Sequence, residues 1–175
     1  MDFYEVIKTR RSVRSYKPDP IPEDVFKRIL NAARIAPSGG NRQPTRLIVV
    51  RDDHRKDALI PLCNGQKFIA QAPVILVACG WEIPTNRGGY MGKYSMLMDV
   101  AIAVDHLTLA ARAEGIGTCW IGSFDNTGIK QFWNVPDDYQ VVALTPLGYP
   151  VGEPFQEITN RMPMEQSVCN EEWGF

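Results

Sequence analysis

Three stretches of this chain carry groups able to hold a charged or flat ligand. Arg10-Arg11-Ser12-Val13-Arg14 is the densest basic piece of a sequence whose charge is otherwise nearly balanced, with 19 Lys and Arg against 20 Asp and Glu. If this piece is extended, the period of two puts Arg10, Ser12 and Arg14 on one face and turns Val13 the other way. Two guanidinium forks and a hydroxyl on one side suit phosphate or another delocalised anion. The same arginines would equally complement the dipole at a helix C-terminus. The second stretch, Pro37-Ser38-Gly39-Gly40-Asn41-Arg42-Gln43-Pro44, concentrates amides and a hydroxyl that can bond a heterocycle, and its glycines let backbone approach closely. Its residue types also build an ordinary turn. The third is Gly115-Ile116-Gly117-Thr118-Cys119-Trp120-Ile121-Gly122, which reads either as a buried strand with flexible ends or as backbone passing beside something flat and bulky. Asn64 and Lys67, in a polar loop, could act on a ligand or face solvent.

Other chemistries find little support. The two histidines, His54 among charges and His106 in an apolar helical run, have no matched nucleophile near them and no paired metal spacing, which argues against a Ser-His-Asp site and a metal centre. Cys63, Cys79, Cys119 and Cys169 are widely spread, and three lie among apolar residues, as expected of buried thiols in a reducing cytoplasm. The absence of a long basic block argues against a nucleic-acid face. Asp2, Glu5, Lys8 and Arg10 interrupt any N-terminal targeting signal, and no run reads as long and uncharged enough to span a bilayer.

The elements that must position these groups follow from periodicity. Asp2 caps a first helix reaching about Thr9, with Phe3, Val6 and Ile7 on one face. Pro22 opens a second helix with a stripe of Val25, Phe26, Ile29, Leu30 and Ala33, and Pro37 stops it. Strands are expected at 46–50, apolar throughout and therefore covered on both faces, and at 72–79, 118–121 and 141–147. Short helices are expected at 52–62 and 129–133. Residues 80–93, rich in glycine and aromatics, read as an irregular excursion of the kind that forms lids. Residues 94–114 form a helix apolar nearly all round, with Asp99, Asp105 and His106 as polar exceptions; such a helix needs the sheet on one side and a second cover, such as another subunit, on the other. The tail from 151 reads as extended and wrapping over a surface. The order of helices and short strands gives a single α+β domain, a three-layer α/β/α sandwich around a mostly antiparallel sheet of four to five strands.

Taken together and in this order, the motifs resemble the FMN-dependent nitroreductase family across nearly the whole chain, in its compact form. The resemblance implies an FMN cofactor reduced by NADH or NADPH in a cytoplasmic homodimer, with nitroaromatics, quinones or similar electron-poor small molecules as acceptors. It implies that Arg10, Arg11, Ser12 and Arg14 hold the FMN phosphate and the pyrimidine edge. Pro37, Ser38, Asn41 and Gln43 would reach the flavin from the other subunit, and Ile121, Gly122 and Ser123 would lie near flavin N5. Asn64 and Lys67 would meet the pyrimidine ring. Arg161, in Arg161-Met162-Pro163, would contact the phosphate, although Thr159 stands where some members carry a lysine. No catalytic side chain is implied, since the flavin carries the chemistry; Arg14 and Lys67 would tune the ring. The resemblance also implies that 151–175 packs on the partner subunit. Alternatives within it are a specialised flavoenzyme, such as a reductive dehalogenase or a flavin-fragmenting enzyme; outside it stands a flavin-binding regulatory module without turnover.

Overall fold

A computed structural model describes residues 1–82 and 90–174. Asp2 accepts a hydrogen bond from the Tyr4 amide and starts α1 (Phe3–Thr9). Pro22 precedes α2 (Glu23–Arg34), whose Phe26, Ile29 and Ala33 are buried, and Asp52 caps α3 (Asp53–Leu62) through the Arg55 amide. The long helix α4 (Tyr90–Ala113) and the short α5 (Asn126–Trp133), capped by Asp125, complete the helices that flank the sheet.

Strands β1 (Thr45–Val50), β2 (Val74–Trp81), β3 (Gly117–Thr118) and β4 (Tyr139–Gly148) form one sheet in the order β1-β2-β4-β3, with every pair antiparallel. The period of two along β2 divides the core. Ile75, Val77 and Cys79 join Leu59, Cys63 and Ile129 beneath α3 and α5, while Val74 and Leu76 join Phe26, Ile29, Ala103 and Leu107 beneath α2 and α4. The result is the expected α/β/α sandwich of the α+β class, with four strands.

Four expectations change. β1 is covered less than its letters imply: as an edge strand it leaves Val49 exposed and Leu47 and Ile48 half-buried. Gly80 and Trp81 belong to β2, and 90–93 already belong to α4, so the excursion shrinks; residues 83–89, where a lid was expected, lie outside the described residues. The strand expected at 118–121 breaks after Thr118, and Ile121 rejoins β4 by a two-way backbone bridge to Leu144. Residues Tyr94–Ala113 are, against expectation, long and apolar enough to cross a membrane by length and composition, with a mean hydropathy of 1.2 over an 18-residue window. Val100, Ala103, Val104, Leu107 and Ala111 of this helix are buried in the fold, which makes one face of it core, while 39% of the apolar window is buried in all.

The tail is extended as expected except for a 3-10 turn at Met164–Gln166, and it runs back past α1. The Ile158 amide donates to the Lys8 carbonyl at 3.2 Å, and Phe155 lies under the Arg112 guanidinium at 4.1 Å.

Candidate functional site

The basic stretch leaves α1 at Arg10 with extended torsions. Ser12 pairs in parallel with Thr118 of β3, and the Val13 amide donates to the Thr118 carbonyl at 2.8 Å. Val13 is buried against Gly117, where a Cβ would lie 2.8 Å from Val13 Cγ2; only glycine allows the basic stretch to lie so close to the sheet. The buried Tyr16 phenol donates to the Val13 carbonyl at 2.6 Å, and burial holds its pKa far above the ordinary range. With Val13 locked inward, Ser12 and Arg14 are exposed and Arg10 is half-buried. Beneath them sits the Cys119 thiol. Its burial raises its pKa, opposed more weakly by Arg14, by a hydrogen bond with Ser12 and by Arg10. Among the described residues no carboxylate forms an ion pair with Arg10 or Arg14. Two cations and a hydroxyl on one exposed face, without an internal counter-charge, fit an external anion.

Arg11 points elsewhere. Its guanidinium donates to the Glu157 carbonyl, and Lys8 pairs with the Glu157 carboxylate at 3.2 Å, so Arg11 secures the tail instead of joining the anion face.

The same sheet edge gathers most of the other candidates. Asn64, held at φ 54°, donates from Nδ2 to Ser123 Oγ at 2.7 Å, which joins the 64–67 loop to the backbone after Ile121. A Cβ at Gly122 would meet nothing within 4 Å, so open space lies beside this backbone. Lys67 begins a 3-10 turn, Lys67–Gln71, whose Phe68 packs with Val13 and Tyr16. Arg161 is exposed in the tail; its one described hydrogen bond goes to the neighbouring Asn160 carbonyl.

Pro37, Ser38, Asn41 and Gln43 form a second group before β1. Gly40, Asn41 and Gln43 all have positive φ, of 60°, 55° and 51°. Ser38 Oγ accepts from the Gln43 amide at 2.9 Å, and Asp99 Oδ1 of α4 accepts from the Gly39 amide at 2.9 Å. Sequence reasoning saw Asp99 only as a polar exception in an apolar helix, which was the available signal. A cavity of about 480 Å³ beside the loop is lined by Lys27, Arg34, Arg46, Leu47, Asp99 and others, large enough for a small ligand or a side-chain cluster.

The two groups stand at opposite edges of the sheet. Ser12 lies beyond β3, and the 37–43 loop leads into β1. Four strand spacings of about 4.8 Å put them roughly 19 Å apart across the sheet, and the register, with Thr118 level with Val74 of β2 but Thr45 level with Gly80, adds a displacement along the strands. One chain therefore does not bring Asn41 or Gln43 to the Arg10, Ser12 and Arg14 face.

Residues 7–67 and 62–149 match the Nitroreductase family. The chain is 31% identical to an NADH dehydrogenase of Thermus thermophilus, covering 91% of this chain and 91% of that one. It is 35% identical to an FMN reductase (NAD(P)H) of Bacillus subtilis, over 68% of this chain and 54% of that one. A 5,6-dimethylbenzimidazole synthase of Rhodospirillum rubrum is 31% identical, over 81% of this chain and 78% of that one. Among solved structures, a nitroreductase family protein of Clostridium difficile superposes with a TM-score of 0.88 at 28% identity, covering 99% of this chain and 100% of that one.

Proposed function

The chain belongs to the nitroreductase family, and from that premise we propose that it is an FMN-dependent oxidoreductase. In this reading it takes hydride from NADH or NADPH and delivers it to nitroaromatics, quinones or similar electron-poor molecules in a ping-pong cycle. It works in the cytoplasm as a homodimer whose FMN sites are shared between subunits. The observation that carries the reading is the group formed by half-buried Arg10 with exposed Ser12 and Arg14, whose arginines form no ion pair among the described residues. The relatives' names, NADH dehydrogenase and FMN reductase (NAD(P)H), support the same cofactor pair.

Bound FMN would supply hydride acceptance and donation at N5. Arg10 and Ser12, with Arg161 of the tail, would hold its phosphate. Arg14 or Lys67 would offset negative charge gathered on the reduced ring, and Asn64 would meet its pyrimidine edge. The 121–123 backbone would line the N5 side. The separation of the two groups supports a second subunit as the source of Pro37, Ser38, Asn41 and Gln43, and residues 151–175 would pack on that subunit too.

Purified protein should absorb as a flavoprotein, release FMN on denaturation and bleach anaerobically with NADH or NADPH. A colourless protein that cannot be reconstituted with FMN would sink the proposal, and a flavin that neither nucleotide bleaches would favour a non-catalytic flavin-binding module. A second reading is a specialised flavoenzyme of the same family that performs flavin fragmentation or reductive dehalogenation; the 31% identity to a 5,6-dimethylbenzimidazole synthase, a relative not named a reductase, favours such specialisation. Loss of the reduced flavin itself in air, without turnover of a quinone, would favour fragmentation.

A further inference from the structure

Asp99 is the acid of α4 whose position no feature of the core explains. It is 7% exposed, and its helix neighbours Val100 and Ala103 are buried apolar residues. A buried carboxylate needs partners to offset lost hydration. Among the described residues no cation lies within ion-pair distance of it, although Arg34 and Arg46 line the same cavity. Its hydrogen bond goes to the Gly39 amide, at 2.9 Å. That amide opens the turn in which Gly40, Asn41 and Gln43 take left-handed torsions that non-glycine side chains rarely adopt. At the far end of the turn, Ser38 Oγ holds the Gln43 amide. Such torsions persist only where the surroundings over-determine them. Here two side-chain acceptors do so, and one of them is anchored in the long helix of the core.

We infer that Asp99 is a positioning residue, which ties the 38–43 turn to α4 and so fixes the direction in which Asn41 and Gln43 are presented. This deepens the proposed function and rests on it as far as FMN is concerned, since the ligand those amides would serve is the flavin bound by a second copy of the chain. The tie itself is a property of this chain alone.

The test uses the full-length protein as Asp99→Ala, Asp99→Asn, Asn41→Ala and the Asp99→Ala/Asn41→Ala pair, with two readouts. The first is hydrogen exchange at the Gly39 and Gln43 amides, which needs no cofactor. The Gly39 amide should be protected in the parent and in Asp99→Asn, whose side-chain oxygen still accepts, and should exchange freely in Asp99→Ala. The second is FMN affinity. Asp99→Ala should weaken it about tenfold, Asp99→Asn by less than about twofold, and the alanine effect should shrink once Asn41 is already alanine, the remainder acting through Gln43. The inference is overturned by unchanged Gly39 exchange in Asp99→Ala, by equal losses in the Asn and Ala variants, or by an alanine effect of undiminished size in the Asn41→Ala background, which would mark Asp99 as a packing residue only. If Asp99→Ala does not fold, the parent and Asp99→Asn decide: a Gly39 amide exchanging as an open loop in the parent, or losing protection in Asp99→Asn, overturns it. If the parent protein does not bind FMN, the proposed function falls, while the exchange measurement still decides the tie.

Discussion

Arg10 and Arg14 gain their meaning from what they lack. An exposed arginine paired with a carboxylate contributes little, but these two share a face with Ser12 and carry no internal counter-charge among the described residues. Arg10→Ala should therefore cost a charge-assisted contact of about 1.5–3 kcal/mol, weakening FMN binding roughly 10- to 100-fold in a fluorescence titration. Arg11→Ala, whose guanidinium is spent on the Glu157 carbonyl, should leave that affinity within about threefold. The buried thiols set a pH limit. Burial pushes Cys63 and Cys79 up to about 11 from an ordinary 9.0, the latter against a weaker opposing pull from Lys130. A group whose pKa is raised by folding keeps its proton in the native state after the unfolded chain has lost it. Its stabilising effect is thus complete below about pH 9 and is lost as pH rises through about 11. The melting temperature should be flat up to about pH 9 and fall beyond it, and a Cys63→Ala/Cys79→Ala variant should show a shallower fall, whatever its starting stability.

At the level of elements, the join between the basic stretch and β3 matters most. Gly117→Ala would place a methyl group 2.8 Å from Val13 Cγ2, and overpacking of this kind costs about 1–3 kcal/mol. Because Val13 is the inward residue of the anion face, the substitution should lower the melting temperature and FMN affinity together. A lowered melting temperature with unchanged affinity would show that the stretch holds its direction without this contact. Much of this arrangement was legible in the sequence. The alternation of Arg10, Ser12 and Arg14 around Val13, the Asp2 cap and the all-apolar 72–79 run are local signals, and the structure keeps them. What was not legible depends on contacts distant in sequence. No periodicity says that 46–50 is an edge strand, because that follows from strand order. Arg11 looks identical to its neighbours until the tail, 146 residues away, presents Glu157. Asp99 stands out in its helix, but its partner Gly39 lies 60 residues back.

For the whole molecule, the decisive question is what covers α4. Leu97, Met98 and Ile102 are 41%, 41% and 38% exposed on a helix whose opposite face is core, which is the pattern of an interface. If the proposed homodimer pairs through this face, Ile102→Glu should shift the protein towards monomer in sedimentation while leaving far-ultraviolet circular dichroism unchanged; a parent that is a dimer and a variant that stays one would move the interface elsewhere. If sites are shared, mixing Arg10→Ala with Asn41→Ala subunits should restore about a quarter of all sites, one in each heterodimer, read as FMN bound per chain. A mixture that binds no better than either parent rules out sharing. The separation of the two halves of the site, roughly 19 Å across the sheet and further along it, then carries a thermodynamic consequence. If neither chain alone can complete a site, flavin and subunit are mutual ligands, and each raises the affinity for the other by the same factor. Dilution should bleed colour from the protein, and added FMN should hold the dimer together at concentrations where the apoprotein falls apart.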